Sequence, residues 1–191
     1  MFKSSIANHC ILAIALCSLQ SVAAQTIESL TAEAQARITV FSAELKSNLM
    51  QAVQQGGHPN GVQVCSVIAP EIQKKLATEG WAVARTALKY RNPANKPDQW
   101  EQQNLDWMLA ASQKGDSLST LAKAEIVEFQ GKKTFRYIKA IPMDTMCIAC
   151  HGQHITEEVK VKISTLYPAD LATGFTPGEL RGAFTLQKQL N

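Results

Sequence analysis

From Thr26 to Gln55 the apolar positions recur at intervals of three and four. Ile27, Leu30, Ala34, Ile38, Phe41, Leu45 and Leu49 form one stripe, which predicts a long amphipathic helix over residues 25–56. Such a stripe serves either as a core face or as a face for dimerisation or signalling. Gly56-Gly57 ends the periodicity, and Pro59-Asn60-Gly61 predicts a turn. A second helix is expected from Pro70, a good first-turn residue, through Ile72 and Leu76 to Gly80. Trp81–Tyr90 has strand-like composition, and Asn92-Pro93-Ala94-Asn95-Lys96-Pro97 predicts a loop. Asp98–Gln113 reads as a helix with Trp100, Leu105, Met108 and Leu109 inward.

Further on, Ile126–Phe129 and Thr134–Ile141 flank Gln130-Gly131-Lys132-Lys133. β-Branched and aromatic residues on both sides of a glycine turn predict an antiparallel hairpin. Thr156–Leu166 is helical, closed off by Pro168, and Gly182–Gln187 is a last strand. The order helix, helix, strand, helix, hairpin, helix, strand predicts an α+β fold with an antiparallel sheet and flanking helices. The hairpin argues against a four-helix bundle, the rival architecture.

Composition and charge narrow the function classes. A chain of 191 residues, 46% hydrophobic and 18% charged, makes one ordinary domain with a real core. A formal net charge of +3, with no basic cluster interleaved with aromatics, excludes a nucleic-acid partner. Residues 1–24 read as a cleaved Sec-type signal peptide. Lys3 supplies the positive region, Ile11–Leu19 the apolar run, and Val22-Ala23-Ala24 the cleavage site. The run is short for a stable membrane span. Leu16 before Cys17 is too bulky for lipoprotein processing, so the expected product is periplasmic, with an uncleaved anchor as the competing reading.

Cysteine usage then becomes informative. Of five cysteines, Cys10 and Cys17 leave with the signal, and Cys65, Cys147 and Cys150 remain. Cys147-Ile148-Ala149-Cys150-His151 is the c-type haem attachment pattern. One helical turn brings the two thiols to neighbouring positions, where each adds to a haem vinyl group. His151 then presents its imidazole to the iron, and Gly152 is expected to leave space beside the ring. The competing readings are a strained short-loop disulfide, a zinc site that adds Cys65 and a histidine, and a thioredoxin-like pair. The last lacks its βαβ context.

For the iron's other face the residues alone leave several candidates. His154 and Met146 are close in sequence to His151, Met143 is expected at the haem edge, and Met108 in a helix core. Met50 borders the first stripe, and His58 lies in a Gly/Pro loop. Cys65 lies in the apolar stretch Val62–Ile68, where a buried inert thiol is the alternative. Arg85, Arg91, Lys89 and Lys139 are candidate partners for haem propionates, against a reading as ordinary solvated charge.

Four segments together resemble a bacterial c-type monohaem family, a domain of unknown function. They are Val64–Ile72, the Arg91–Asp98 loop, the haem box, and the tail Tyr167–Phe175 with Arg181-Gly182-Ala183-Phe184. The resemblance implies a PAS-like sensor fold with a long N-terminal helix over a haem domain at 57–191. It also implies one haem c whose iron is held by His151 and Cys65. A thiolate ligand favours ferric iron and weakens on reduction, which points to a redox or small-ligand sensor, with a diatomic gas or a redox protein as partner. A periplasmic electron carrier is the alternative. A sulfur-compound-oxidising enzyme ranks last, since there is one attachment box and no catalytic triad or carboxylate pair. A homodimer through the N-terminal helix is a further expectation.

Overall fold

The computed structural model describes residues 25–190, so the segment read as a signal peptide, with Cys10 and Cys17, lies outside the described residues. Strands β1 (Trp81–Thr86), β2 (Ala122–Phe129), β3 (Lys132–Pro142) and β4 (Leu180–Gln189) form one antiparallel sheet in the order β1-β4-β3-β2. Helices α1 (Ile27–Leu76), α2 (Gln99–Gln113), α3 (Ile148–His151) and α4 (Glu157–Leu166) flank it. The architecture is α+β, as the pattern predicts. Among the described residues no helix is long and apolar enough to cross a membrane.

Alternation along the strands divides the core between the two sheet faces. Phe135, Tyr137, Phe184 and Leu186, with Trp81 and Val83, pack against Leu30, Ala34, Ile38 and Phe41 of α1. Phe41 meets Phe184 edge-on, with ring centroids 5.3 Å apart. On the opposite face Ile138, Ala140 and Ala183 meet Leu105 and Met108 of α2. The central part of the long apolar stripe is therefore buried in the core, and only its tip at Ile27 stands exposed. Leu109, expected inward, is 39% exposed. The sequence Asp98-x-x-Glu101 makes a capping box, with Asp98 accepting from the Glu101 amide at 2.8 Å and Glu101 from the Asp98 amide at 3.0 Å.

Helix α1 breaks where the two glycines predict. Gly57 has φ 70° and ψ −172°, a backbone conformation open almost solely to glycine. The second arm, 58–76, folds back along the first as a helical hairpin. Gly61 lies against Leu49 and Val53, and Lys75 bonds Glu44. Two local expectations are corrected here. Pro59-Asn60-Gly61 is not a free turn but the opening of the second arm, which starts well before Pro70. Pro59 fills a first-turn position, where its missing N–H costs nothing. Pro70 lies inside the arm on its exposed side, and burial of Val62, Ala69 and Ile72 carries the helix through it. Strand β1 also ends early, at Thr86, because the next amide, Ala87, donates to Asn95 in the following loop at 3.1 Å. The hairpin is longer than predicted, and its turn tightens to Gln130 and Gly131, with φ 52° and 74°.

Candidate functional site

The segment after β3 builds the site. Asp144 accepts from the Met146 amide at 3.1 Å and opens a tight turn at Thr145–Cys147, which runs directly into α3. Cys147, Cys150 and His151 thus share one continuous turn, as their spacing predicts. Gly152 ends it. A Cβ there would stand 2.6 Å from both the carbonyl oxygen and the Cγ2 of Ile148, so the glycine permits close approach of the chain to its own turn.

Opposite that turn lies the second arm of α1, with Cys65 on the face that also carries Gly61 and Val62. Between them is a cavity of about 310 Å³, to which Cys65, Cys147, Cys150, His151 and the partly exposed Met50 contribute walls. Two neighbouring hollows, of about 180 and 50 Å³, extend toward β1 and β4. Cys65 and His151 are the two residues that line all three. Among the described residues no three His, Cys, Asp or Glu side chains gather closely enough to hold a bare metal ion. The cysteines and histidine are arrayed around a volume rather than converged on a point.

The protonation chemistry of the site follows from burial. Removal from water pushes the His151 imidazole well below its ordinary value, and the guanidinium charges of Arg181 and Arg91 push it further. The ring is neutral at pH 7. Its Nδ1 stands 2.7 Å from the Ala172 carbonyl oxygen, which can only accept, so Nδ1 carries the proton and Nε2 keeps a free lone pair. Burial, helped by the Asp144 charge, pushes the Cys147 thiol up to about 11, and burial raises Cys150 as well. These are protonated thiols in an apolar wall. An activated redox pair requires the opposite, a lowered pKa.

The tail holds this arrangement. Phe175 N–H donates to the His151 carbonyl at 3.0 Å, and Gly174 N–H to that of Gly152 at 2.9 Å. Arg91 crosses from the β1 side and pairs with Asp170 through Nε at 3.0 Å and Nη2 at 3.1 Å. Nη2 also donates to the carbonyls of Cys150 at 2.6 Å and Ala172 at 3.2 Å. Arg91 therefore enters the site as a clamp already matched by a carboxylate. Arg85 differs. It lies over the Phe41 ring at 5.3 Å, and its Nε is buried without a hydrogen-bond partner. Arg181, named from the sequence only as part of the family tail and not as a propionate partner, lines two of the hollows beside it.

The other sequence candidates divide between the site and the rest of the fold. Lys89 lies outside the three hollows, with Nζ donating to the Thr173 carbonyl at 2.6 Å, and Lys139 also lies outside them. Met108 is buried in the core under α2, whereas Met143 packs with Ala172, Phe175 and Cys147 beneath the turn and lines the hollow of about 180 Å³. His58 and Met146 line the main cavity, and His154 does not. Asp170 and the Ala172 carbonyl were within reach as part of a distinctive tail. Their roles depend on Arg91, 79 residues away from Asp170 in sequence.

Comparison with known proteins agrees with this picture. No curated protein matches the chain. A solved structure described as the crystal structure of the cyanobacterial heme-protein Tll0287 is 23% identical, with a TM-score of 0.61, over 83% of this chain and 96% of that one. The shared architecture, an antiparallel sheet with flanking helices and a long N-terminal helix, is consistent with a PAS-like fold. The model of the family described as Tll0287-like matches residues 17–188, nearly the whole sequence, and the chain belongs to that family.

Proposed function

We propose that the protein is an exported, periplasmic monohaem c-type protein that works as a redox or small-ligand sensor module. Cys147 and Cys150 would form the thioethers, and His151 and Cys65 would hold the iron. The observation that carries this reading is the position of Cys65 and His151, the two residues common to all three adjoining hollows, beside the attachment cysteines. The solved structure of similar fold is described as a haem protein, which agrees with it. The donor set suits the group: a neutral imidazole with Nε2 free, a soft sulfur, and two thiols in an apolar wall.

Bound haem would supply a one-electron couple at iron and, with Cys65 released, a coordination site for a small molecule. The protein's part is orientation. The Ala172 carbonyl fixes the His151 tautomer and ring plane, and Phe175 and Gly174 bind the backbone of the same turn. Cys65, in contrast, rides on a helical arm joined to the rest through Gly56-Gly57 and packed on α4 through Val62, Val159 and Ile163. The two ligands would come from separate elements, the attachment turn and this arm, so release of Cys65 would leave the haem attached through the turn, which favours sensing over simple electron transfer. Carbon monoxide titration of the reduced protein tests the choice. A sensor binds it with a shift of the Soret band, whereas inertness to the gas assigns an electron carrier.

A further inference from the structure

The charges around the hollows do not balance. Arg85, Arg91 and Arg181 all line the smallest and most polar one, together with Gln73, Asn92 and Asn95. One carboxylate, Asp170, serves this trio, and Arg91 takes it in a two-pronged pair. Among the described residues neither Arg85 nor Arg181 makes an ion pair. Arg85 leaves its buried Nε unbonded, and Arg181 donates from Nη1 to the Lys89 carbonyl at 3.1 Å. Neighbouring guanidinium charges removed from water without counter-charges are costly unless an anion joins them. Burial depresses both guanidiniums, Arg181 to about 10.

We infer that Arg85 and Arg181 form a paired cradle for the two propionate carboxylates of the haem, and that Arg91 is a structural clamp rather than a third anchor. The inference rests on the proposed haem reading and adds the orientation of the group. The stoichiometry matches: two uncompensated cations for two carboxylates. So does the placement. The polar hollow shares Cys65, Arg91 and His151 with the main cavity and includes neither Cys147 nor Cys150, so it offers the carboxylates a place apart from the attachment thiols, while both arginines also line the hollow of about 180 Å³ in which Cys147 stands. Planar guanidiniums suit that partner because they bind carboxylates through two parallel N–H donors.

The test is the midpoint potential of the holoprotein, measured by mediated potentiometric titration for wild type, Arg181→Gln, Arg181→Lys and Lys139→Gln. A cation beside the haem favours the ferrous form. Arg181→Gln should therefore lower the potential, Arg181→Lys should recover most of the loss, and Lys139→Gln should leave it unchanged. Arg85→Gln should lower it in the same direction, with circular dichroism checking the fold. A wild-type potential in Arg181→Gln overturns the cradle, as does a fall that Arg181→Lys does not reverse. The underlying reading is checked separately, by the haemochrome spectrum of wild type, where a protein without covalent haem would overturn that reading instead.

Discussion

Replacing Asp170 by alanine removes the carboxylate at the centre of the tail clamp. Its two oxygens accept from Arg91 at 3.0 and 3.1 Å, and one also accepts from the Ala172 amide at 2.9 Å. Both side chains are nearly buried, 6% and 9% exposed. Their charges are therefore poorly screened, and Asp170→Ala leaves a guanidinium buried beside two others. Breaking a buried pair from one side costs about 3–5 kcal/mol. For a domain of this size each kcal/mol lowers Tm by about 2–4 °C, so the transition should fall by roughly 6–20 °C. Guanidinium chloride unfolding at matched haem occupancy measures it, as a drop in midpoint at constant slope. Lys160→Ala, which removes an exposed i,i+3 partner of Glu157, should cost under about 1 kcal/mol in the same assay. In Asp170→Ala/Arg91→Leu the orphaned charge is gone, and part of the stability should return. A loss below about 1 kcal/mol for Asp170→Ala, or no recovery in the double variant, refutes the clamp.

Two other outcomes follow from local geometry and protonation. Gly57→Ala forces a side chain into φ 70°, ψ −172° and should cost about 1–3 kcal/mol, read by thermal unfolding; an unchanged Tm would show that the arms do not need this joint. His151 has a depressed pKa in the fold, so the unfolded chain binds the extra proton first. In an apoprotein that cannot attach haem, the neutral imidazole's contribution is fully present above the ordinary value of 6.5 and declines as pH falls below it. Denaturant titrations from pH 8 to pH 5 should show that slope, and His151→Gln should flatten it; identical slopes would contradict a buried neutral ring.

How far the sequence could be read depended on the range of the interaction. The long stripe of α1, the helix opening at Asp98 and the single turn from Cys147 to His151 are set by residues within four positions of one another, and each is found as expected. By sequence Pro59 and Pro70 are equally able to open a helix, and tertiary packing of Val62 and Ala69 starts the arm at the first of them. Arg91 and Arg85 look alike in sequence, a cation near a strand end. Only the fold brings Asp170 to one and leaves the other unmatched. Arg181 stands in the sequence only as part of the family tail, with nothing to mark it as a site cation. It reaches the hollow because β4 pairs with β1, Ala183 opposite Thr86 and Phe184 opposite Arg85. Gly152 shows the same limit from the other side, a glycine whose crowding by Ile148 within its own turn no spacing rule announces.

The central claim, that Cys65 and His151 share one haem iron, is tested most directly by low-temperature electron paramagnetic resonance of the ferric holoprotein, wild type against Cys65→Ser. Wild type should give the low-spin signature of thiolate and imidazole on opposite faces, and Cys65→Ser should lose it while keeping covalent haem. A wild-type spectrum without thiolate character, or a Cys65→Ser spectrum identical to wild type, would contradict the assignment.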